Sequence, residues 1–126
     1  MTQDEIVTIG VSEVGNDQLN ALIEAGVFAE KMDGFRFAAA LALAQGVVPD
    51  EIVKRSPFLN RGSLDPEQTL RKAVEALLPE QLENTTPYRL IERLADWGVR
   101  DLYAQLQNGE IDFAGILSQV ADKAAE

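Results

Sequence analysis

The sequence predicts a mainly helical protein, in which one N-terminal β-strand is followed by about six helices. Apolar residues recur at helical spacing over most of the chain, whereas alternation typical of a strand is confined to residues 5–11. Hydrophobic residues make up 46% and charged residues 25% of the 126 positions. This composition is typical of one folded globular unit rather than of a disordered chain.

The predicted strand covers residues 5–11, and its apolar side chains Val7, Ile9 and Val11 fall on one face. A single strand cannot satisfy its own backbone hydrogen bonds, and no later segment has the pattern of a partner strand. We therefore predict that the strand pairs with the same strand of a second chain, which makes the protein a homodimer.

Two helices are predicted after the strand. The first follows an N-cap at residues 16–17 and ends at Gly26, and the second runs from about residue 32 to Ala44. The second helix is apolar on most of its faces, which favours burial against another subunit in so small a chain. The predicted dimer interface draws on the strand and this helix and comprises Val7, Ile9, Val11, Phe35, Ala38, Leu41 and Ala42.

A connecting segment at residues 49–63 is predicted to join a dimerisation unit at 1–48 to a helical half at 64–126, within one unit overall. Proline and glycine interrupt this segment, and a short helical turn is expected at residues 50–55. The segment also contains the main basic cluster of the sequence, Lys54, Arg55 and Arg61. These cations either contact phosphate or an acidic partner, or balance neighbouring carboxylates on a solvated loop.

The C-terminal half is predicted to be helical throughout. Asp65 and Pro66 have the residue types of an N-cap and a first helical position. Gly98 is interpreted as the stop signal between two helices. The four predicted helices cover about residues 65–78, 87–98, 99–108 and 113–120.

The absence of Cys and His excludes several kinds of chemistry within this chain. Thiol nucleophiles, disulfides, Ser-His-Asp triads and His-ligated metals all require one of these residues. Acidic pairs such as Asp50–Glu51 lack the spacing of a calcium loop, and the glycines do not form a phosphate-binding loop. We therefore predict no catalytic residue, no cofactor and no metal ligand, and a protein that is not an enzyme.

Charge and hydropathy point to a cytoplasmic protein without membrane contact. The chain has 11 Lys and Arg against 21 Asp and Glu, a net charge of −10. Asp4 and Glu5 stand where a secretory signal would be basic. The most apolar stretch, residues 35–48, is shorter than the roughly 20 residues of a membrane helix.

The strand–helix–helix order of residues 5–46 resembles the ribbon–helix–helix fold. In that fold, two chains pair one strand each into an antiparallel ribbon over interlocked helices, and many members place the ribbon in the major groove of DNA. Here the outer face of the ribbon would carry Ile6, Thr8 and Gly10, none of which is basic. Because phosphate contacts dominate DNA affinity, a chain of net charge −10 is not favoured as a ribbon-type DNA binder.

Residues 31–43, KMDGFRFAAALAL, resemble a helix of the small accessory proteins of bacterial DNA-phosphorothioation and related anti-phage operons. The family is DNA phosphorothioation-associated protein 4, and residues 94–98 and 112–113 are also similar to it. The resemblance implies an accessory role and supplies no active site.

We therefore predict a noncatalytic dimeric adaptor that docks on a larger protein of a DNA-modification or defence system. The acidic half at residues 64–126, with 6 Lys and Arg against 12 Asp and Glu, offers a surface for such docking. The alternative is an acidic DNA-binding regulator that uses Lys54, Arg55 and Arg61, and a third class is a hydrolase of unknown type.

Overall fold

The computed structural model describes residues 7–109, 111–116 and 118. It is mainly helical and contains one small antiparallel sheet, so the predicted helical class and the N-terminal strand are confirmed. A single 3₁₀ turn, Gln81–Glu83, precedes the longest helix. The other elements are β1 (Thr8–Ser12), α1 (Glu13–Glu24), α2 (Lys31–Ala44), β2 (Arg55–Asn60), α3 (Arg61–Leu64), α4 (Thr69–Leu77) and α5 (Pro87–Gln107).

The partner of β1 is β2 of the same chain. The antiparallel register runs from Thr8 opposite Asn60 to Ser12 opposite Arg55. The prediction that β1 finds its partner in a second chain is therefore wrong. So is the helical turn predicted at residues 50–55, because the chain is already extended at Arg55.

Two irregularities explain why the sequence pattern did not show β2. Pro57 lies within the strand, and proline lowers the expectation of a strand because it cannot donate a ladder hydrogen bond. The register also shifts between Ile9 and Gly10, so that apolar and polar residues of β2 do not alternate regularly. Pro57 is exposed, at a position that proline tolerates on an edge strand.

The second edge of β1 is covered by α5. The N–H groups of Gly10 and Ser12 donate to the carboxylates of Glu92 and Asp96, with N···O distances of 2.9 and 3.0 Å. Alternate residues of an antiparallel strand point their N–H groups to opposite sides, so these two amides face away from β2. This arrangement leaves no free edge at β1 for the symmetric strand pairing of a ribbon–helix–helix dimer.

The central element of the fold is α5, which packs along α2 and also contacts α1, α4 and β1. It is one continuous helix of 21 residues, so the prediction of two helices separated at Gly98 is wrong. A Cβ atom at Gly98 would overlap the backbone of Ala38 in α2. Glycine therefore permits the close approach of two helices here, and tertiary packing overrides its low helix propensity.

One core joins the N-terminal and C-terminal parts of the chain. Phe35 and Ile9 pack with Leu90 and Leu94 of α5, and Leu19 belongs to an adjoining apolar cluster with the C-terminal half of α5. Residues of both predicted parts therefore share one hydrophobic cluster. The segment at residues 49–63, predicted as a connection, supplies β2 and most of α3.

The burial of the predicted dimer interface is explained within one chain. Val7 is the exception, because 55% of its surface is exposed. The other six residues of the predicted interface are buried in the core of a single chain. Their apolar character therefore gives no reason to expect a second subunit. The residues with 0–3% exposure are Ile9, Val11, Phe35, Ala38, Leu41 and Ala42. The homodimer itself stays a prediction.

The start of α1 differs from the predicted start. Ser12 caps α1, since its Oγ accepts a hydrogen bond of 2.9 Å from the Gly15 N–H, and the helix begins earlier than the predicted cap at residues 16–17. Residues 113–116 are helical, in agreement with the start of the last predicted helix, whereas residues 119–126 lie outside the described residues.

Within the described part of the chain, no helix has both the length and the hydropathy needed to cross a membrane.

Candidate functional site

Among the described residues, the most buried charged group is the carboxylate of Glu92, which is 2% exposed. Arg55 binds it in a forked geometry, with Nε 2.9 Å from Oε1 and Nη2 2.8 Å from Oε2. Arg55 also donates to the carbonyl of Thr8 at 2.9 Å. The hydrogen bonds with Glu92 raise the pKa of Arg55 above its ordinary value, and partial burial opposes this rise.

Asp96 lies one helical turn after Glu92 and is 6% exposed. Its Oδ1 accepts hydrogen bonds from the N–H and the Oγ of Ser12, at 3.0 and 2.7 Å. Its Oδ2 is 3.2 Å from Nη2 of Arg100. Glu92 and Asp96 of α5 therefore both hold β1 in place.

The basic cluster predicted at Lys54, Arg55 and Arg61 does not converge in the structure. Lys54 and Arg61 flank the two ends of β2, and a strand of six residues spans about 20 Å. Arg55 is bound by Glu92, and Arg61 lies over the ring of Tyr88 with its Cζ 5.8 Å from the centroid. The three cations thus do not form one surface for a phosphate backbone.

A tight turn at residues 65–68 has the geometry of a binding surface, and we refer to it as the 65–68 turn. Asp65 is 5% exposed and accepts hydrogen bonds from the N–H groups of Leu70 and Arg71, at 3.0 and 3.1 Å. Its carboxylate therefore binds N–H groups of the first turn of α4, but the predicted N-cap position is wrong, because the N-cap is Gln68 and the helix begins at Thr69 rather than at Pro66. The intervening loop is closed by a bond from the N–H of Gln68 to the Asp65 carbonyl.

The hydroxyl of Tyr88 fixes the 65–68 turn to α5. It donates to Oδ2 of Asp65 at 2.9 Å, and Tyr88 itself is 3% exposed. Burial is the main cause that raises the pKa of Tyr88 to about 12, and the hydrogen bond to Asp65 is the second. The native state therefore retains the phenolic proton more strongly than the unfolded chain, where the pKa is about 10.

Stability is expected to decline between about pH 10 and pH 12 because of Tyr88. A group with a raised native pKa contributes its full stabilisation below the unfolded pKa, and loses it as the pH rises through the native pKa. Urea unfolding from pH 8 to pH 12 measures this decline. Tyr88→Phe should be less stable at pH 8 by about 1 kcal/mol and should depend less on pH. Equal pH dependence of the two proteins would contradict the assignment.

Two grooves flank the 65–68 turn. One, of about 390 Å³, has an apolar lining that includes Ala40, Leu64, Pro66 and Leu70. The other, of about 280 Å³, is lined on its charged side by Arg61 and Arg71. Both grooves include Asp65 and Pro66, so the turn forms the ridge between them.

Arg36 of α2 binds the backbone next to the apolar groove. Its Nη2 donates to the carbonyl of Leu64 at 2.7 Å and to that of Ser63 at 3.1 Å, and its Nε donates to Leu64 at 3.0 Å. These carbonyls end α3, and a cation at a helix C-terminus is favourable. The side chain therefore connects α2 to the chain segment that enters the 65–68 turn.

A third groove, of about 420 Å³, lies at the start of α5. Arg89 and Arg93 line it together with Glu51 and Glu83, so the charges of its walls balance. The Nη2 atom of Arg93 is 3.9 Å from Glu51, which is a weak exposed ion pair. This groove has no preference for one sign of charge. Among the described residues, no group of three or more acidic side chains is suited to a metal ion.

Comparisons with protein-family models, with curated proteins and with solved structures find no match to this chain. The arguments for its function therefore come from its own residues. The sequence pattern did not predict that Arg71 and Tyr88 lie beside Arg61. The three residues are close only because α3, α4 and α5 pack together. The one available signal was Asp65, whose position before a helical pattern indicates a cap.

Proposed function

We propose that the protein is a noncatalytic adaptor that docks on a partner protein. The observation that carries this proposal is the 65–68 turn, a rigid exposed ridge between an apolar groove and a groove lined by two arginines. Concave apolar surfaces with a few convergent polar groups are typical of binding sites. Each buried carboxylate named above accepts hydrogen bonds that hold secondary structure elements together, which supports a binding role over a catalytic one.

We further propose that the partner belongs to a bacterial DNA-modification or defence system. This context rests on the resemblance of residues 31–43 to the DNA phosphorothioation-associated proteins. In the fold, these residues lie in α2, whose buried residues include Phe35, Ala38 and Ala42. Arg36 and Ala40 of this helix line the apolar groove beside the 65–68 turn.

The adaptor proposal is tested by capture of crosslinked complexes from the native host, with the chain tagged at low expression level. We expect one larger protein to be retained in a stable ratio to the bait, and no nucleic acid after nuclease treatment. The matched control is an unrelated tagged protein of similar size and charge. Repeated recovery of the chain alone would contradict the adaptor proposal.

The competing function is an acidic DNA-binding regulator, and the geometry weighs against it. Near physiological salt, we expect no mobility shift of duplex DNA at submicromolar protein. The net charge of −10 repels phosphate, and Lys54 and Arg61 lie at opposite ends of β2. Two phosphate contacts would give a log–log salt slope of only about −1.8.

The suitable control for DNA binding is the double variant Lys54→Ala and Arg61→Ala. Arg55 is left in place because its removal would unpair the buried Glu92 and disturb the fold. A shift by the wild type that disappears in this variant would favour the regulator over the adaptor.

A further inference from the structure

We propose that Asn108 is a modification site, at which the side-chain amide is hydrolysed spontaneously to a carboxylate with release of ammonia. Asn108 is the C-cap of α5, and Gly109 follows it directly in the sequence. Both residues are exposed at the end of this helix. The modification needs water as its only co-reactant, and it does not depend on the proposed adaptor function.

The reaction joins the side chain of Asn108 to the backbone of Gly109. The Gly109 nitrogen attacks Cγ of Asn108 and forms a new C–N bond, while the bond from Cγ to the side-chain nitrogen breaks. That nitrogen takes up the proton lost by Gly109 and leaves as ammonia, and a five-membered succinimide ring remains. Water then opens the ring at either carbonyl and yields aspartate or isoaspartate, so that each conversion consumes one water and releases one ammonia.

Gly109 makes the attack of its nitrogen sterically possible. It has no Cβ beside that nitrogen, and its φ of 132° is a backbone conformation that glycine adopts more readily than other residues. Apart from its chain neighbours, no described residue has an atom within 4 Å of the place where a Cβ would be. The ring can therefore close without displacing another part of the described fold.

The last turn of α5 must open before the ring closes. The Gly109 N–H donates to the Leu106 carbonyl at 3.2 Å, and the Asn108 N–H donates to the carbonyls of Ala104 and Gln105 at 3.2 and 3.1 Å. The exposed ends of helices open locally at a small free-energy cost, far below that of global unfolding. The reactive conformation is therefore reached from the folded state.

The other asparagines of the chain are in positions that oppose the same reaction. The side chains of Asn16 and Asn60 accept hydrogen bonds within the fold, and Asn20 lies inside α1. Asn84 precedes Thr85, whose branched side chain crowds the attacking nitrogen. The sequence and the exposed helix end together select one asparagine.

Conversion is expected to loosen the packing that follows α5. A carboxylate at a helix C-terminus is unfavourable because the helix dipole is negative there, and isoaspartate also inserts a carbon into the backbone. Residues 111–116 follow this end of the helix. The ring of Phe113 packs edge-on against Phe37 with centroids 5.4 Å apart, and Ile116 is buried in the cluster that contains Val99.

The experiment is incubation of the purified full chain in mildly alkaline buffer, with mass spectrometry of its proteolytic peptides over several days. We expect Asn108 to be the first asparagine to lose its amide, with aspartate and isoaspartate both formed. Ammonia should appear in an amount equal to the converted residue. Isoaspartate is the signature of the ring, because direct hydrolysis of the side chain yields aspartate alone.

Two controls separate the helix end from general instability. Asn108→Gln keeps an exposed amide at the same place but closes a five-membered ring less readily, since its side chain is longer, and it should stay unconverted. Asp33–Gly34 is a second acidic-type residue before glycine, but Gly34 is buried inside α2. It should form isoaspartate in urea and none in the folded chain.

The inference is overturned if Asn108 keeps its amide in the folded chain, or if another asparagine converts first. Conversion without isoaspartate would overturn the ring mechanism. For the effect on packing, Asn108→Asp should unfold at a lower temperature than Asn108→Gln, since only the former adds a charge at the end of α5. Equal unfolding midpoints of these two variants would refute that effect.

Discussion

Replacing Glu92 with alanine is expected to lower the free energy of unfolding by about 3–5 kcal/mol. The substitution leaves the Arg55 guanidinium without its carboxylate and the Gly10 N–H without an acceptor in a buried position. Removal of one partner of such a pair is more costly than the pair is stabilising, because the remaining charge has lost part of its hydration. Urea unfolding followed by circular dichroism measures the change.

Two further variants show that the effect belongs to the buried network. Glu75→Ala removes the exposed carboxylate near Arg71 and should change stability by less than about 1 kcal/mol. The double variant Arg55→Met with Glu92→Leu should recover part of the loss, because neither charge remains, although the Gly10 N–H still lacks an acceptor. A loss in Glu92→Ala no larger than that in Glu75→Ala would refute the structural role of Glu92.

Gly98→Ala is expected to destabilise the protein by about 3 kcal/mol. The added methyl group would meet the carbonyl and Cα of Ala38, and backbone atoms cannot move aside by a rotamer change. Helix propensity alone predicts that the Gly98→Ala variant is more stable than the wild type, since alanine is more favourable than glycine in a helix by about 1 kcal/mol.

The matched control on the same helix is Ala104→Gly, at an exposed position of α5. It should lose about 1 kcal/mol through propensity alone, without any change in helix packing. Thermal unfolding of both variants, with the midpoint compared at one scan rate, distinguishes the two effects. A Gly98→Ala variant as stable as the wild type would show that α2 and α5 do not approach closely at this point.

The two predictions concern the same feature, the fixing of α5 within the fold. Glu92 and Asp96 connect α5 to β1, Gly98 allows its contact with α2, and Tyr88 connects it to the 65–68 turn. The orientation of the 65–68 turn therefore depends on α5, which is fixed through its buried polar side chains. Variants of α5 that remove these contacts are therefore expected to weaken partner binding by lowering the stability of the fold.

The sequence by itself determined the local features of this protein. Alternation identified β1, and helical spacing identified α1, α2 and most of α4 and α5. Asp65 was found as a residue that binds the first turn of a helix, although not from the N-cap position. These signals are local, since they depend on the periodicity of burial and on the chemistry of helix ends. The chemistry excluded by the absence of Cys and His was equally determined by composition.

The tertiary structure decided which elements meet. The N–H groups of Gly10 and Ser12 that face away from β2 donate to carboxylates more than 80 positions away in the sequence. These hydrogen bonds form within one chain, whereas the strand pattern had suggested a second chain as the partner. Gly98 reads as a helix stop in the sequence, but its neighbour is the backbone of Ala38, which only the packing of α2 brings close. The groove lined by Arg61 and Arg71 likewise forms because α3, α4 and α5 meet at Tyr88. Periodicity along the chain does not predict which elements meet.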